Sequence, residues 1–268
     1  MQIMNFSNNN LTFEAGLTKQ IASEINNCSI SAITDNFAAR NITTNFDNNK
    51  IIAWCAAKSM EIIDTLNEKY NFKLNLPNEI YMNNNLFSDK EDLGMCLALP
   101  YLSKDTNKIY PEATIFFNSK SDWKNIDNIA DKQYSTNYSP TDSFINIILH
   151  EFIHAAHFKR LIDKLGTNKY VGNIIKIENV QDYTFKKYYD NIINQLGIYA
   201  TTNPLEAIAC DLSKRICDVL DKTSLLPQSN PLKDSPYINE TVFKKFYSFL
   251  FDDKFTKLMT KYWNGKFN

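Results

Sequence analysis

Three histidines, His150, His154 and His157, are all that the chain contains, and they fall within eight positions. The first two frame the pentapeptide His150-Glu151-Phe152-Ile153-His154. On a helix, residues i and i+4 lie about 40° apart around the axis, on neighbouring turns. Two imidazoles at that spacing can bind one zinc ion at about 2.0–2.1 Å each. Glu151 projects from the same end of such a site, and its carboxylate can take a proton from a zinc-bound water. With so few histidines, a chance match to this pattern is expected on the order of once per thousand such chains. The competing reading is a helix whose histidines pack in the core and hydrogen-bond locally.

A catalytic zinc takes three protein ligands and keeps one position open. A metzincin would continue with glycine at position 157 and histidine at position 160. The chain has His157 and Arg160 there, which excludes that subclass. No further histidine exists, so the third ligand is expected to be a carboxylate. Glu206 is the best-placed candidate, on a helix started by Asn203 and Pro204. A glutamate at that position is also a common capping-box residue reaching back to Asn203. His157 rises about 10.5 Å beyond His150, too far to share its metal, and is expected as a neighbour or cleft wall. Asp211 could orient a zinc histidine through its free ring nitrogen, or it could be a solvated helix residue. Cys210 and Cys217 are expected to pack in the core.

A histidine helix followed tens of residues later by a glutamate on a second helix resembles the gluzincin metallopeptidases. Within that group, Tyr199-Ala200-Thr201-Thr202-Asn203-Pro204-Leu205-Glu206-Ala207-Ile208-Ala209 is similar to the catalytic segment of anthrax-lethal-factor-type domains. The resemblance implies that Glu206 binds zinc and that Tyr199 assists, its hydroxyl donating to the tetrahedral oxyanion. Tyr199 can otherwise be read as a packing tyrosine with a wet tip. The resemblance also implies a zincin arrangement upstream: a long helix, a small sheet with an edge strand, then the active-site helix. Ile109–Phe117 would be that edge strand. The likeness covers residues 140–215 loosely. It departs at Ile153, where relatives often carry glycine, and at His157, which is outside the pattern. The expected activity is that of a zinc metalloendopeptidase of gluzincin type. It would hydrolyse a peptide or protein substrate by a zinc-activated water, with Glu151 as general base and one catalytic Zn2+. By analogy it would be toxin- or effector-like. The alternative is a non-catalytic zincin-fold module with a binding or structural role.

The elements that must position these residues can be read from periodicity and breakers. Short helical pieces are predicted around 13–26. A second, capped by Asp47, carries Ile51, Ile52, Trp54, Cys55, Ile62, Ile63 and Leu66 at helical spacing. Strands are predicted over Glu79–Met82, Met95–Leu102 and Ile109–Phe117, with Pro111 suited to an edge or bulge. A polar loop follows to Ser139. The histidine helix is predicted to be capped by Ser139, with Pro140 at N1 and Asp142 at N3, and to stop at Gly166. A tyrosine-rich helix near 181–196 ends at Gly197. The Asn203-Pro204 helix runs to about Leu220. A linker over Pro227–Pro236 precedes a last helix over Glu240–Trp263.

These elements make an α+β, mostly helical, zincin-like domain with a small mixed sheet packed over the histidine helix. Residues 1–45 would be a polar, helical extension, 46–226 the catalytic domain, and 227–268 a linker and helix packing on it. The 268 residues are 44% hydrophobic and 22% charged, which is globular composition. A net charge of −1 gives no basic field for nucleic acid. Five widely spaced cysteines without a C-x-x-C suggest neither a disulfide framework nor a thiolate metal site. No apolar run is long enough for membrane insertion, and the first 20 residues carry no secretory pattern. The expected location is the cytoplasm, or outside the cell by a signal-peptide-independent route.

Overall fold

The computed structural model describes residues 19–102, 109–166, 183–232 and 253–264. Its elements in chain order are α1 (Lys19–Asn27), α2 (Ile30–Ala38), β1 (Thr43–Asn45), α3 (Lys50–Tyr70), β2 (Glu79–Asn83), β3 (Gly94–Leu102), β4 (Ile109–Asn118), α4 (Ile126–Ser135), α5 (Ile145–Leu165), α6 (Tyr183–Lys186), α7 (Tyr189–Leu196), α8 (Pro204–Asp218) and α9 (Asp253–Trp263). Single 3-10 turns at Trp123–Asn125 and Tyr199–Thr201 lead into α4 and precede α8. The class is α+β, mainly helical, with one small mixed sheet. No described helix is long and apolar enough to cross a membrane.

The sheet order is β1-β2-β4-β3. β1, β2 and β4 run parallel, while β3 is antiparallel to β4. This corrects the expectation for Ile109–Phe117. That segment is β4, held between β2 and β3, and the edge strands of the described sheet are β1 and β3. Pro111 is tolerated because β2 pairs with β4 only over Thr114–Asn118, whereas Pro111 lies opposite Pro100 of β3, beyond the reach of β2.

α5 packs against β3 and β4 on one side and against α3 and α8 on others. Such a helix is apolar on most sides, and Ile145, Ile148, Leu149, Phe152, Ile153 and Leu161 are all fully buried. α3 is its long neighbour, with Ile52, Cys55, Ile62, Ile63 and Leu66 at 0% exposure. Trp54 of α3 stacks on Phe144 at the start of α5, with ring centroids 6.4 Å apart. Ile21, Ile25 and Phe37 of α1 and α2 join the same core.

Several element ends differ from the sequence reading. α3 is capped by Asn49, whose Oδ1 accepts from Ile52 N at 3.0 Å, and not by Asp47. Asp47 and Asn48 both have positive φ, so the chain is still turning there. α5 begins at Ile145 rather than beside Pro140. Ser139 spends its hydroxyl on Thr141 O and on Asn146 Nδ2, so it caps nothing. Gly166, at φ 67, does end α5. The predicted loop before Ser139 contains α4, held by Ile126 and Ala130, which are buried four residues apart. The 181–196 prediction resolves into α6 and α7. Of the expected first and last helices, Lys19–Asn27 and Asp253–Trp263 are described. Residues 13–18 and 240–252 lie outside the described residues.

α9 packs against α8 and meets α5 through one histidine. His157 is 1% exposed and stacks on Trp263, with centroids 4.5 Å apart and planes at 14°. Arg160 lies over the same indole, and Arg160 and Lys164 both reach Asn264 Oδ1. The expectation of a cleft-wall role for His157 is therefore not met, because its ring is enclosed between α5 and α9. Burial lowers its pKa to about 3, with His154 and Arg160 acting in the same direction. A histidine depressed in the fold contributes stability that is complete above its ordinary pKa and lost as pH falls through the window from there to about 3. His157→Phe keeps a stacking ring and removes the proton site. Between pH 7 and 5 the wild type is expected to lose about 2 kcal/mol more than this variant. Urea midpoints at the two pH values measure the difference, and equal losses would refute it.

Candidate metal centre

The first turn of α8 carries Glu206, which meets His150 and His154 in the middle of α5. Asn203 starts α8 by accepting from Leu205 N at 2.8 Å and Glu206 N at 3.0 Å, with Pro204 at the first helical position. Glu206 is thereby fixed in the first turn. Its carboxylate turns to the two histidines rather than back to the Asn203 amide. Glu206 Oε2 is 2.9 Å from His150 Nε2 and 3.0 Å from His154 Nε2, and the two Nε2 atoms are 3.0 Å apart. Three ligand atoms from two helices thus converge on one point. Among the described residues this is the group that could hold a metal ion. His150 and His154 are buried, and Glu206 is mostly so.

Each ring has a different support. His150 Nδ1 lies 3.9 Å from Cys210 Sγ, and the Tyr199 ring sits 5.7 Å from the imidazole. His154 stacks on Phe158 at 5.3 Å. Burial alone would push the Glu206 carboxyl up. The His154 and His150 rings outweigh it, by charge and by hydrogen bond, and hold the group well below the usual carboxylate range.

Glu151 lies in the same cleft but outside the convergence. Burial raises its pKa to about 7, against a lowering by His150 and with a smaller raising by Glu206. It is a carboxyl able to exchange a proton near neutrality. The edge strand β3 comes right onto it. A Cβ at Gly94, the first residue of β3, would lie 3.1 Å from Glu151 Cγ and 3.3 Å from its Oε1, so a side chain there would make the Glu151 side chain shift by a few tenths of an ångström.

Tyr199 also faces the cleft. Burial, then the charges of Glu206 and Glu151, push its phenol far above the ordinary value, so it stays an O–H donor. Its placement depends on a turn whose only sequence signal is a helix stop. Gly197, at φ 83, passes over the backbone of residues 137 and 138, and a Cβ there would meet Tyr138 O at 2.7 Å. Ile198 N then donates to Asn137 O and Tyr199 N to Tyr138 O. The two tyrosine rings end 5.2 Å apart.

Tyr138, Gly94 and Cys210 are the site residues that sequence reasoning misses or reads as packing. Only Gly197 leaves a local signal, and its partner is not visible in the sequence. Asp211 takes neither role expected of it. It is 1% exposed, its Oδ1 accepts from Arg215 Nε at 3.2 Å, and burial raises its pKa to about 6 against the pull of Arg215.

The cleft has a volume of about 700 Å³. Its walls include Leu86, Leu97, Tyr138, Phe158 and Leu205, and its rim carries the exposed Glu91 and Asp92. The rim loop is tied down by Asn118 Nδ2, which donates to Asp89 O at 2.6 Å and Asp92 O at 2.8 Å. No protein-family model matches the chain, and no curated protein or solved structure matches it, so the site rests on its own geometry.

Proposed function

We propose that this chain is a zinc metallopeptidase of gluzincin type, with His150, His154 and Glu206 holding zinc and Glu151 and Tyr199 acting on the substrate. The observation that carries the reading is the convergence of two Nε2 atoms and one carboxylate oxygen within 3.0 Å, beside the buried carboxyl of Glu151. Two imidazoles and a carboxylate are a donor set that catalytic zinc takes. Zinc donors at about 2.0–2.1 Å in a tetrahedral array lie about 3.3 Å apart. The donors here need to open by only a few tenths of an ångström, which side-chain torsions supply.

When bound, zinc supplies a Lewis acid that polarises the scissile carbonyl and acidifies water. The chain's own residues do the rest. Glu151 takes a proton on its carboxylate and passes it to the leaving amine. The Tyr199 hydroxyl donates to the oxygen that gains charge. The outer edge of β3 has no strand partner among the described residues, with Leu97 and Leu99 exposed on it. An extended peptide can pair there through its backbone and run into the cleft. The likeness of the Tyr199 to Ala209 segment to lethal-factor-type domains favours a toxin- or effector-like peptidase acting on a protein substrate.

The test is metal content and chelator-sensitive proteolysis of the full chain. Elemental analysis is expected to return one zinc per chain. A mixed peptide library is expected to be cleaved, with cleavage lost on chelation and restored by zinc. Absence of zinc would overturn the metal reading. Stoichiometric zinc without cleavage would overturn the hydrolase reading and leave a binding module.

A further inference from the structure

An imidazole that gives one nitrogen to a metal must have its other nitrogen, and hence its tautomer and ring plane, fixed by something else. Resting on the reading of His150 as a metal donor, we propose that Cys210 is a positioning residue for the metal centre. Its thiol hydrogen-bonds His150 Nδ1 and aims Nε2 at the point where His154 and Glu206 converge.

Cys210 Sγ lies 3.9 Å from His150 Nδ1, at hydrogen-bonding distance for sulfur, and is the polar partner of that nitrogen among the described residues. Cys210 is 2% exposed and His150 6%, so the contact is largely shielded from bulk water. The arrangement follows from helix geometry. Cys210 is four residues after Glu206 on α8, hence on the same face one turn further along. One face of one helix thus grips the His150 ring at both nitrogens, with Glu206 at Nε2 and Cys210 at Nδ1. Asp211, a stronger acceptor in principle, is rotated about 100° round the helix and is paired with Arg215. The His154 ring has no such polar support. It stacks on Phe158, and no described residue hydrogen-bonds its Nδ1.

A thiol is both a weak donor and a weak acceptor. It therefore serves both states of the ring. It donates S–H to Nδ1 when Nε2 carries the proton and faces Glu206. It accepts from Nδ1–H when the Nε2 lone pair is free for a metal. A carboxylate in the same place could only accept.

The experiment compares wild type, Cys210→Ala, Cys210→Val and Cys210→Asn in the full chain. Zinc affinity is read by chelator competition, and the side-chain ¹⁵Nδ1 resonance of His150 is read in the metal-free protein. Loss of the outer partner is expected to weaken zinc binding by roughly 10- to 100-fold in the Ala variant. Val refills the space without a polar atom and is expected to behave like Ala. Asn carries both a donor and an acceptor and is expected to restore affinity and the wild-type resonance. A packing role gives the opposite order, with Val restoring and Asn not. That order overturns the proposal, as does an Ala variant equal to wild type in both readouts. If the wild type takes up no zinc, the metal reading fails by itself, and the resonance alone decides whether the thiol holds the ring.

Discussion

Replacing Glu151 by glutamine is expected to lower kcat by about 10²- to 10⁴-fold while leaving one zinc per chain in place. Glutamine has the same shape as glutamate, so it fits the close approach of Gly94, where even a Cβ would come within 3.1 Å of Glu151 Cγ. It cannot take a proton at the position where the carboxylate does. Glu151 is not among the three converging ligands, so metal stoichiometry and KM are expected to change little. A second consequence has the opposite sign. Burial raises the Glu151 carboxyl to about 7 in the fold. A carboxyl raised in the fold contributes stability that is present below its ordinary pKa and lost as pH rises through about 7. The metal-free Glu151→Gln protein is therefore expected to be more stable than wild type at pH 8, by about 3 kcal/mol at most. Burying an ionisable acid in the cleft thus costs stability in the range where it would work as a base. Titration curves of unfolding for the two metal-free proteins check this. A variant with full activity would remove Glu151 from its proposed role.

Local signals identify the parts of the site that depend on local physics. The four-residue spacing of His150 and His154 needs only a helix, and the apolar residues around them supply one. Asn203 and Pro204 mark a helix start through a cap and a missing N–H, and that start is what brings Glu206 into position. The two readings of Glu206 differ in where one carboxylate points, which no local rule decides. The histidines across the cleft settle its direction.

What escapes the sequence depends on contacts between distant segments. The extent of β4 is legible, but its place inside the sheet is not, because edge and interior are properties of pairing and β3 and β2 flank it from different loops. The polar look of 118–139 hides α4, since a short surface helix needs only Ile126 and Ala130 on its inner face. Cys210 reads as packing, and it is buried, but its sulfur also sits against a histidine 60 positions away. His157 belongs to the motif by proximity in sequence alone. At about −20° from His150 and two turns on, it faces α9 and serves the core.

Replacing Glu206 by alanine is expected to separate metal holding from folding. The helix start should survive. Asn203 caps α8 through backbone amides, including that of residue 206, which alanine keeps, and alanine is the better helix former. The centre should not survive. Removing the carboxylate leaves two imidazoles 3.0 Å apart with no anion between them. Zinc affinity is expected to fall by more than the roughly 10- to 100-fold that loss of an outer partner costs, and hydrolysis should disappear with it. The electrostatics point the same way. Glu206 is held below the usual carboxylate range despite its burial, so the two rings favour its anion over its acid. The pair of variants divides the roles cleanly, since Glu151→Gln should keep zinc and lose turnover, whereas Glu206→Ala should keep its circular dichroism and lose zinc. Undiminished zinc stoichiometry and affinity in Glu206→Ala would refute the ligand assignment and leave the two histidines to find their third partner elsewhere.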